Sequence, residues 1–397
     1  MRKILFLLFL LLDSLFAFSQ WNSLESGTTN FLYAVHFTNT DVGYAIGQSG
    51  TILKTINGGT TWSSTESGTT MDLMSIFFPD SVTGYLAGGY WDQGIVLKTM
   101  NAGATWTKLL SGNQVLTSVC FTDANRGYVV GDSGTILKTT DGGSTWTSLQ
   151  SGTTKVLWSI FFTDSITGYV VGQGGTILKT TNAGSTWTSI SSPTDFTLRS
   201  VFFTNALTGY VFSSQGFILK TIDAGLTWFP VLTGLSKTCY SIYFTKINSG
   251  YVAGGGGLIL KTNNEGTAWN PLSSGTNSTL YSIYLVNDTT GYAVGIYGTI
   301  LKTTNGGSNF IDEIYSPKPT YSIYPNPAND KITIISEKKL PGKPIITIFS
   351  LIGEQKMYKE FQDQNPFEMD LSTLLKGIYL VKIQNGEGIE SKKLVIQ

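Results

Sequence analysis

One tetrapeptide recurs through most of the chain at a nearly constant interval, and this repeat limits the possible folds more than any other feature. ILKT, once written VLKT, places its lysines 44, 40, 41, 41, 41 and 41 residues apart. Those lysines are Lys54, Lys98, Lys138, Lys179, Lys220, Lys261 and Lys302. A Gly-Tyr pair keeps the same interval. Seven copies of one unit therefore account for the chain from residue 21 to about residue 310.

Each unit reads as four short β segments separated by turn residues. In the last unit the first three segments are TLYSIYLV, GYAVG and TILKT, and the fourth begins at an aromatic residue. The first segment is apolar at nearly every position, so both faces of that strand should be buried. A solenoid would repeat in about 20 to 30 residues. Four-stranded units of about 40 to 45 residues predict an all-β chain with a seven-bladed β-propeller.

An octet such as TTDGGSTW, residues 139–146, connects the third and fourth segments. Its Asn or Asp side chain can accept backbone N–H bonds within a tight turn, and the glycine two residues on, Gly143 here, tolerates a positive φ. The tryptophan that ends six of the octets is expected to insert between blades. The repeated lysines are expected to form a solvated face, with their stems on apolar surface.

The two ends of the repeat region suggest how the ring closes. WNSLESGTT, from Trp21, matches the fourth segment that begins at Trp62, yet no other segment precedes it. The seventh unit instead ends in FIDEIYS, where Phe310 replaces tryptophan. We therefore predict that the strand at Trp21 completes the blade built from residues 280–303, which would remove an exposed sheet edge.

The composition divides the chain into four parts. Residues 1–19 place two basic residues before a nine-residue apolar run and then small residues, as in a secretory signal peptide. Residues 20–312 form the predicted propeller, and residues 313–320, which contain SPKPT, a linker. Residues 321–397 alternate strand patterns with Gly and Asn turns and predict a small antiparallel β-sandwich.

The octet resembles the Asp-box, the SxDxGxTW hairpin of bacterial neuraminidases. The whole unit resembles the seven-bladed propellers of photosystem II assembly-factor type, a resemblance that implies a fold but no particular activity. YPNPAND, GIYLVKI and the terminal KKLVIQ are similar to the C-terminal sorting domain of the type IX secretion system of Bacteroidetes. This second resemblance implies that residues 321–397 engage the type IX machinery. It also implies that the protein reaches the outer surface of a Gram-negative cell or the medium.

The chain holds few of the groups that enzymatic sites need. Its single histidine, His36, lies in an apolar segment and is expected to be a core residue. Cys120 and Cys239 lack zinc-ligand spacing and are expected to be buried free thiols. Sialidase chemistry uses three arginines, whereas only Arg126 and Arg199 follow the signal peptide. We therefore expect a non-enzymatic protein with no cofactor and no metal.

Other partner classes are also disfavoured by composition. The chain has 26 Lys and Arg against 26 Asp and Glu, with no basic patch, so we expect no nucleic-acid partner. The apolar run near the start is about half of the roughly 20 residues that cross a bilayer, and no later segment comes closer. We therefore expect no membrane span in the exported protein.

Propellers commonly bind ligands on the face formed by the loops between blades and the loops between second and third strands. At the start of the first strand the residue varies as Tyr33, Met74, Thr117, Trp158, Arg199, Tyr240 and Tyr281. Four aromatic rings and an arginine there could stack sugar or peptide groups. The second unit adds three residues in GGYWDQG, which displays Tyr90 and Trp91. Packing around the channel rim would explain both clusters equally well.

Two functional hypotheses follow. The first is an exported binding or scaffold propeller that engages a protein or a carbohydrate, through Tyr33, Trp158, Arg199, Tyr240, Tyr281, Tyr90 and Trp91. The alternative is a polysaccharide-active glycoside hydrolase that uses loop carboxylates, namely Asp72, Asp92, Asp132 or Asp195. Such an enzyme needs two carboxylates about 5 to 9.5 Å apart, so converging loop acids would favour it.

Overall fold

The computed structural model describes residues 21–231, 237–307, 321–336, 344–350, 354–361, 366–385 and 388–397. The predicted signal peptide, the FIDEIYS segment and the linker lie outside these residues. Within the described ranges, no helix is long and apolar enough to cross a membrane.

The described chain begins with the short strand β1 (Asn22–Leu24). Blade 1 contains β2 (Leu32–Phe37), β3 (Gly43–Gly47), β4 (Ile52–Thr55) and β5 (Ser63–Ser64). Blade 2 contains β6 (Asp72–Phe77), β7 (Gly84–Tyr90), β8 (Gln93–Thr99) and β9 (Thr107–Gly112). Blade 3 contains β10 (Leu116–Phe121), β11 (Gly127–Gly131), β12 (Ile136–Thr139) and β13 (Thr147–Leu149). Blade 4 contains β14 (Leu157–Phe162), β15 (Gly168–Gly172), β16 (Ile177–Thr180) and β17 (Thr188–Ile190).

Blade 5 contains β18 (Leu198–Phe203), β19 (Gly209–Ser213), β20 (Ile218–Thr221) and β21 (Phe229–Val231). Blade 6 contains β22 (Cys239–Lys246), β23 (Ser249–Gly254), β24 (Ile259–Thr262) and β25 (Asn270–Leu272). Blade 7 contains β26 (Leu280–Leu285), β27 (Gly291–Gly295) and β28 (Ile300–Thr303), and β1 is its fourth strand. Each blade is an antiparallel four-stranded sheet, so the all-β fold predicted from the sequence is confirmed.

The seven blades form a ring that is closed by both ends of the repeat region. The first strand of each blade contacts the first strand of the next, and β26 contacts β2. β1 pairs antiparallel with β28, where Ser23 lies opposite Leu301. Across the same seam, the backbone N–H of Val35 donates to the hydroxyl of Ser282 at 3.3 Å. The first and last blades are therefore joined by side-chain packing and by a shared strand.

A repeated pair of hydrogen bonds fastens each blade to the next. In blade 4, Tyr169 Oη and Lys179 Nζ each donate at 2.7 Å to the same acceptor, the carbonyl oxygen of Ala224 in blade 5. The same arrangement occurs at all seven seams, with acceptors at Gly58, Ala102, Gly142, Ala183, Ala224, Glu265 and Gly306. We call this arrangement the Tyr–Lys clamp.

The clamp corrects the expectation that the repeated lysines form a solvated face. Six of them are half-buried, and Lys220 is only 7% exposed. Burial lowers the pKa of Lys220. A carbonyl oxygen has two lone pairs, so one turn residue can satisfy both donors. The lysines therefore hold the seams together instead of presenting charge to solvent.

Aromatic stacking fills six of the seven seams beside the clamp, and Leu285 takes the place of the phenylalanine at the seam between blades 6 and 7. Tyr85 of blade 2 stacks on Phe121 of blade 3 with ring centroids 3.7 Å apart, and Trp146 meets Phe121 edge-on at 6.3 Å. A Cβ on Gly127 would lie 2.5 Å from the Phe121 ring. The glycine of the Gly-Tyr pair is thus needed because the phenylalanine ring of the same blade occupies the space of a side chain.

The octet forms the turn that presents the clamp acceptor. Asp141 Oδ1 accepts from the N–H of Thr145 at 2.9 Å and from the hydroxyl of Thr139 at 2.8 Å. Hydrogen bonds from Thr145 lower the pKa of Asp141 to about 2. Asn57 makes the equivalent bonds in blade 1, because its Oδ1 accepts the same N–H bond and its Nδ2 donates to the Thr61 hydroxyl.

Removing both clamp donors is expected to lower the free energy of unfolding by more than the sum of the two single removals. Tyr169→Phe or Lys179→Met alone leaves Ala224 O with one donor, so each should lower the free energy of unfolding by about 0.5–1.5 kcal/mol. The double variant leaves a seam carbonyl without either donor, and a positive coupling energy of about 1 kcal/mol should appear in a double-mutant cycle by urea unfolding. Strict additivity would contradict the shared-acceptor interpretation.

The C-terminal part contains two sheets with a core of their own. β29 (Tyr321–Tyr324), β30 (Lys331–Ser336) and β33 (Phe367–Asp370) form one, and β31 (Ile345–Ser350), β32 (Gln355–Glu360), β34 (Gly377–Asn385) and β35 (Gly388–Ile396) form the other. Ile332 and Ile334 of the first sheet share one buried cluster with Ile346 and Ile348 of the second. The two sheets therefore pack face to face.

Candidate functional site

One face of the ring gathers the loops that differ most between blades. Short 3-10 turns join the second and third strands at Gln48–Gly50, Asp132–Gly134, Gln173–Gly175, Gly255–Gly257 and Ile296–Gly298. Each turn is hydrogen-bonded to the residue that precedes the first strand of the same blade. In blade 1, for example, the N–H of Gln48 donates to the carbonyl oxygen of Phe31 at 2.8 Å. This anchoring fixes the starts of the first strands, and with them the predicted site residues, beside the turns.

Five of the predicted binding residues form a continuous row on this face. The ring centroids of Tyr33 and Tyr281 are 5.4 Å apart, and those of Tyr281 and Tyr240 are 5.0 Å apart. The Arg199 guanidinium lies 6.0 Å from the centroid of Tyr240 and 4.0 Å from that of Trp158. All five side chains are half-buried. We call this row, which crosses blades 1, 7, 6, 5 and 4, the aromatic arc.

Arg199 is the electrostatic centre of the arc. Its Nε is buried and has no hydrogen-bond partner, and within the described ranges its guanidinium forms no ion pair. Burial lowers the pKa of Arg199, so the charged form is held at a cost. A half-buried cation without a carboxylate is unusual in a folded protein, because charges removed from water are normally paired. The arc can therefore accept an anionic group.

At both ends of the arc, the neighbouring side chains form hydrogen bonds within the propeller. Tyr33 Oη lies 3.3 Å from Asp72 Oδ2, and Asp72 Oδ1 accepts from the N–H of Ser49 at 2.9 Å. Burial, and then Asp72, raises the pKa of Tyr33. At the other end, the Thr117 hydroxyl donates to the carbonyl of Leu157 at 2.5 Å. Both oxygens of Asp72 are thus engaged in hydrogen bonds of the fold. This corrects the expectation that Asp72 is a loop carboxylate available for catalysis.

The structure does not bring the other two predicted residues into the arc. β7 and β8 pair as far as Tyr90 opposite Gln93, so Trp91 and Asp92 form a two-residue hairpin turn. Tyr90 and Trp91 are 57% and 79% exposed, and their rings contact each other edge-on at 5.9 Å. Among the described residues, no ring contact links this pair to the arc.

An open cavity of about 610 Å³ lies beside this hairpin. It is lined by Asp92, Asn113, Gln114, Asp132, Ser133, Thr154 and Val156, from blades 2 and 3 and the loops that follow them. Burial, and then the charge of Asp92, raises the pKa of Asp132. Two of the predicted loop acids, Asp92 and Asp132, therefore share one cavity.

Sequence reasoning missed one exposed aromatic residue on the same face. Tyr297 is 69% exposed, has φ of 55°, and contacts Phe31 edge-on at 5.5 Å. The equivalent left-handed turn position holds Ser49, Ser133, Gly174 and Gly256 in other blades. A tyrosine at a position that holds serine or glycine in four other blades was a readable signal, because large side chains rarely adopt positive φ.

His36 and the two cysteines are placed in the interior of the ring. His36 lies between Phe78 and Tyr284, with centroids 5.7 and 5.0 Å away, and burial lowers its pKa to about 4. Cys120 and Cys239 are free thiols, and burial raises the pKa of each to about 12. In the described part of the chain, no three potential metal ligands come together.

Two family models match the chain. The model of the photosynthesis system II assembly factor YCF48 matches residues 14–116 and 110–195, and that of the secretion system C-terminal sorting domain matches residues 322–397. Residues 14–195 are thus similar to the assembly-factor propellers, and residues 322–397 are similar to the type IX sorting domain. The sorting domain directs the protein to the cell surface or the medium. A comparison with curated protein sequences finds no match.

Solved structures similar to this protein share the propeller fold at low identity. YCF48 bound to D1 peptide is 20% identical with a TM-score of 0.62, covering 72% of this chain and 96% of that one. YCF48 from Cyanidioschyzon merolae is 19% identical with a TM-score of 0.60, covering 71% and 98%. The GH74 enzyme of Niastella koreensis is 14% identical with a TM-score of 0.60, covering 95% and 74%.

Proposed function

We propose that this protein is an exported, non-enzymatic propeller that binds a peptide segment of another extracellular protein on the aromatic arc. The observation that carries the proposal is Arg199, a half-buried cation set between Trp158 and Tyr240 with no acidic partner in the described ranges. A ligand carboxylate would supply the missing charge, either from an Asp or Glu side chain or from a chain terminus.

The tyrosines extend the same surface in one direction from Arg199. Tyr240, Tyr281 and Tyr33 follow at successive centroid distances of 5.0 and 5.4 Å. Rigid rings give a large contact area at low entropy cost, and their hydroxyls can bond to a peptide backbone. An acidic residue on Arg199, with apolar residues across the tyrosines, is the ligand that this arrangement fits. One structural neighbour is a YCF48 bound to a peptide, which supports a peptide ligand for this fold.

Selection from a displayed library of random dodecapeptides tests the proposal. We expect enriched peptides to carry an acidic residue, and Arg199→Gln to weaken their binding by about 10- to 100-fold, as for an interfacial arginine that anchors a ligand. Arg199→Lys should recover only part of that loss, since an ammonium group does not stack on Trp158 or form a bidentate pair.

The matched control is Trp91→Ala, which removes an exposed indole outside the arc. Its peptide affinity should equal that of the wild type in the same calorimetric titration. Failure to enrich any peptide, or equal affinity in Arg199→Gln, would contradict the proposed function.

A polysaccharide hydrolase is a second candidate, favoured by Asp92 and Asp132 lining one cavity. The raised pKa of Asp132 is in the direction that a general acid requires. Release of reducing ends from soluble polysaccharides, lost in both Asp92→Asn and Asp132→Asn, would establish this candidate. We expect no such release, because the polar cavity is open and its acids lie at an exposed hairpin and turn.

A further inference from the structure

The hairpin of blade 2 differs from its equivalents in length and in what it exposes. β7 and β8 have seven residues each, whereas the corresponding strands of blade 1, β3 and β4, have five and four. The added length carries Trp91 and Tyr90 to the tip of the hairpin, where both rings face solvent. Trp91 is the most exposed of the nine tryptophans among the described residues.

The cavity beside the hairpin has a lining that selects for one ligand chemistry. Two carboxylates, two amides and two hydroxyls line it, with Val156 as the single apolar side chain. Carboxylate and amide groups can each engage two neighbouring hydroxyls of a ligand. Its volume of about 610 Å³ lies within the range of about 300–1,000 Å³ typical of small-molecule sites.

Other ligand classes fit the lining poorly. Phosphates and acidic sugars would be repelled by Asp92 and Asp132, and no basic residue lines the cavity in the part of the chain described. A lipid or apolar ligand would find only Val156. A divalent cation would need more protein ligands than the two carboxylates, and no cluster of three such residues occurs in the described ranges.

We infer that the cavity beside the blade 2 hairpin is a binding site for a neutral saccharide. Trp91 does not line the cavity but precedes the lining residue Asp92 at the exposed hairpin tip, where its ring would stack on a sugar that extends out of the cavity. Asp92, Asp132, Asn113 and Gln114 would bind the sugar's hydroxyl groups. This site is separate from the aromatic arc and goes beyond the proposed peptide binding. The protein would thereby attach a peptide ligand and a glycan on one face.

Calorimetric titration of the whole exported protein with defined saccharides tests this inference. The probes are cellohexaose, xylohexaose and mannohexaose, and a neutral high-mannose N-glycan that represents a sugar carried on a protein. We expect one of them to bind, and Trp91→Ala and Asp132→Asn each to weaken it about tenfold or more. Binding of a hexaose would indicate a polysaccharide as the natural source of the ligand, and binding of the N-glycan would indicate a glycoprotein. Trp91→Phe should retain part of the affinity.

The matched control is Trp158→Ala, which should bind the saccharide as the wild type does while losing peptide affinity. Trp91→Ala should show the reverse, so failure of the saccharide site and failure of the peptide site are distinguishable. Absence of binding by all four probes would overturn the inference. So would equal saccharide affinity in Trp91→Ala and the wild type, since the exposed indole can be removed without unfolding the chain.

Discussion

Alanine in place of Trp21 is expected to lower the free energy of unfolding of the propeller by about 3–5 kcal/mol. Trp21 is 1% exposed and belongs to the buried cluster that holds Tyr251 of blade 6 and Leu280 of blade 7. The substitution leaves a cavity at the seam and loosens β1, which is joined to the rest of its blade by three residue pairs with β28. The ring would then be held at this blade by fewer contacts.

Urea unfolding followed by tryptophan fluorescence measures this effect on the propeller alone, because all nine tryptophans lie between residues 21 and 269. The matched control is Trp228→Ala, which removes a similarly buried ring, 4% exposed, from a blade whose strands are consecutive in sequence. Both variants should be destabilised, but only Trp21→Ala should become sensitive to proteolysis near residues 21–30 before global unfolding. A loss of less than about 1 kcal/mol in Trp21→Ala would contradict the role of β1 in closure.

Gly134→Ala is expected to destabilise the propeller by at least about 3 kcal/mol. Gly134 has φ of 71°, and a Cβ there would lie 1.9 Å from the carbonyl oxygen of Thr153. Neither group is the end of a flexible side chain, so the turn and the loop between blades must move apart. The same loop lines the cavity through Thr154, so saccharide binding should fall as well.

Gly152→Ala is the control that separates the steric clash at Gly134 from the cost of placing a non-glycine residue at positive φ. Gly152 has φ of 74°, but nothing lies within 4 Å of a Cβ built on it. Its substitution should therefore cost only about 1 kcal/mol, the penalty for a non-glycine residue in the left-handed region. Equal unfolding midpoints for the two variants would show that the loop at Thr153 adapts without cost.

The fold could be predicted because the motifs that indicate it recur at a regular interval along the chain. The spacing of ILKT and Gly-Tyr gives the size of the unit, and the unpaired segment at Trp21 points to the place that β1 occupies against β28. The Tyr–Lys clamp could not be predicted in the same way. Its acceptor is a backbone carbonyl, carried by glycine at Gly142, alanine at Ala224 and glutamate at Glu265, so no residue type marks it.

The sequence identified which residues belong to the candidate site better than it predicted how they are arranged in space. Aligning the repeats within the chain identified every residue of the aromatic arc, because all five occupy one position of the unit. The separation of Trp91 from the arc depends on hairpin geometry, which loop length alone does not give. The cavity depends on Asp92 and Asp132, which are 40 positions apart and meet only once the blades are packed.

The position of the clamp has an evolutionary consequence. In blade 1 the start of β2 lies opposite the end of β3, with Leu32 facing Gly47, whereas Tyr44 sits at the opposite end of the sheet. The Tyr–Lys clamp therefore lies toward one rim, and the side chains that vary lie at the other. A gene duplication that adds or exchanges a unit also supplies that unit's Tyr–Lys clamp. The variable rim can then diverge without weakening the contact between neighbouring blades. Such a molecule can acquire new targets one repeat at a time.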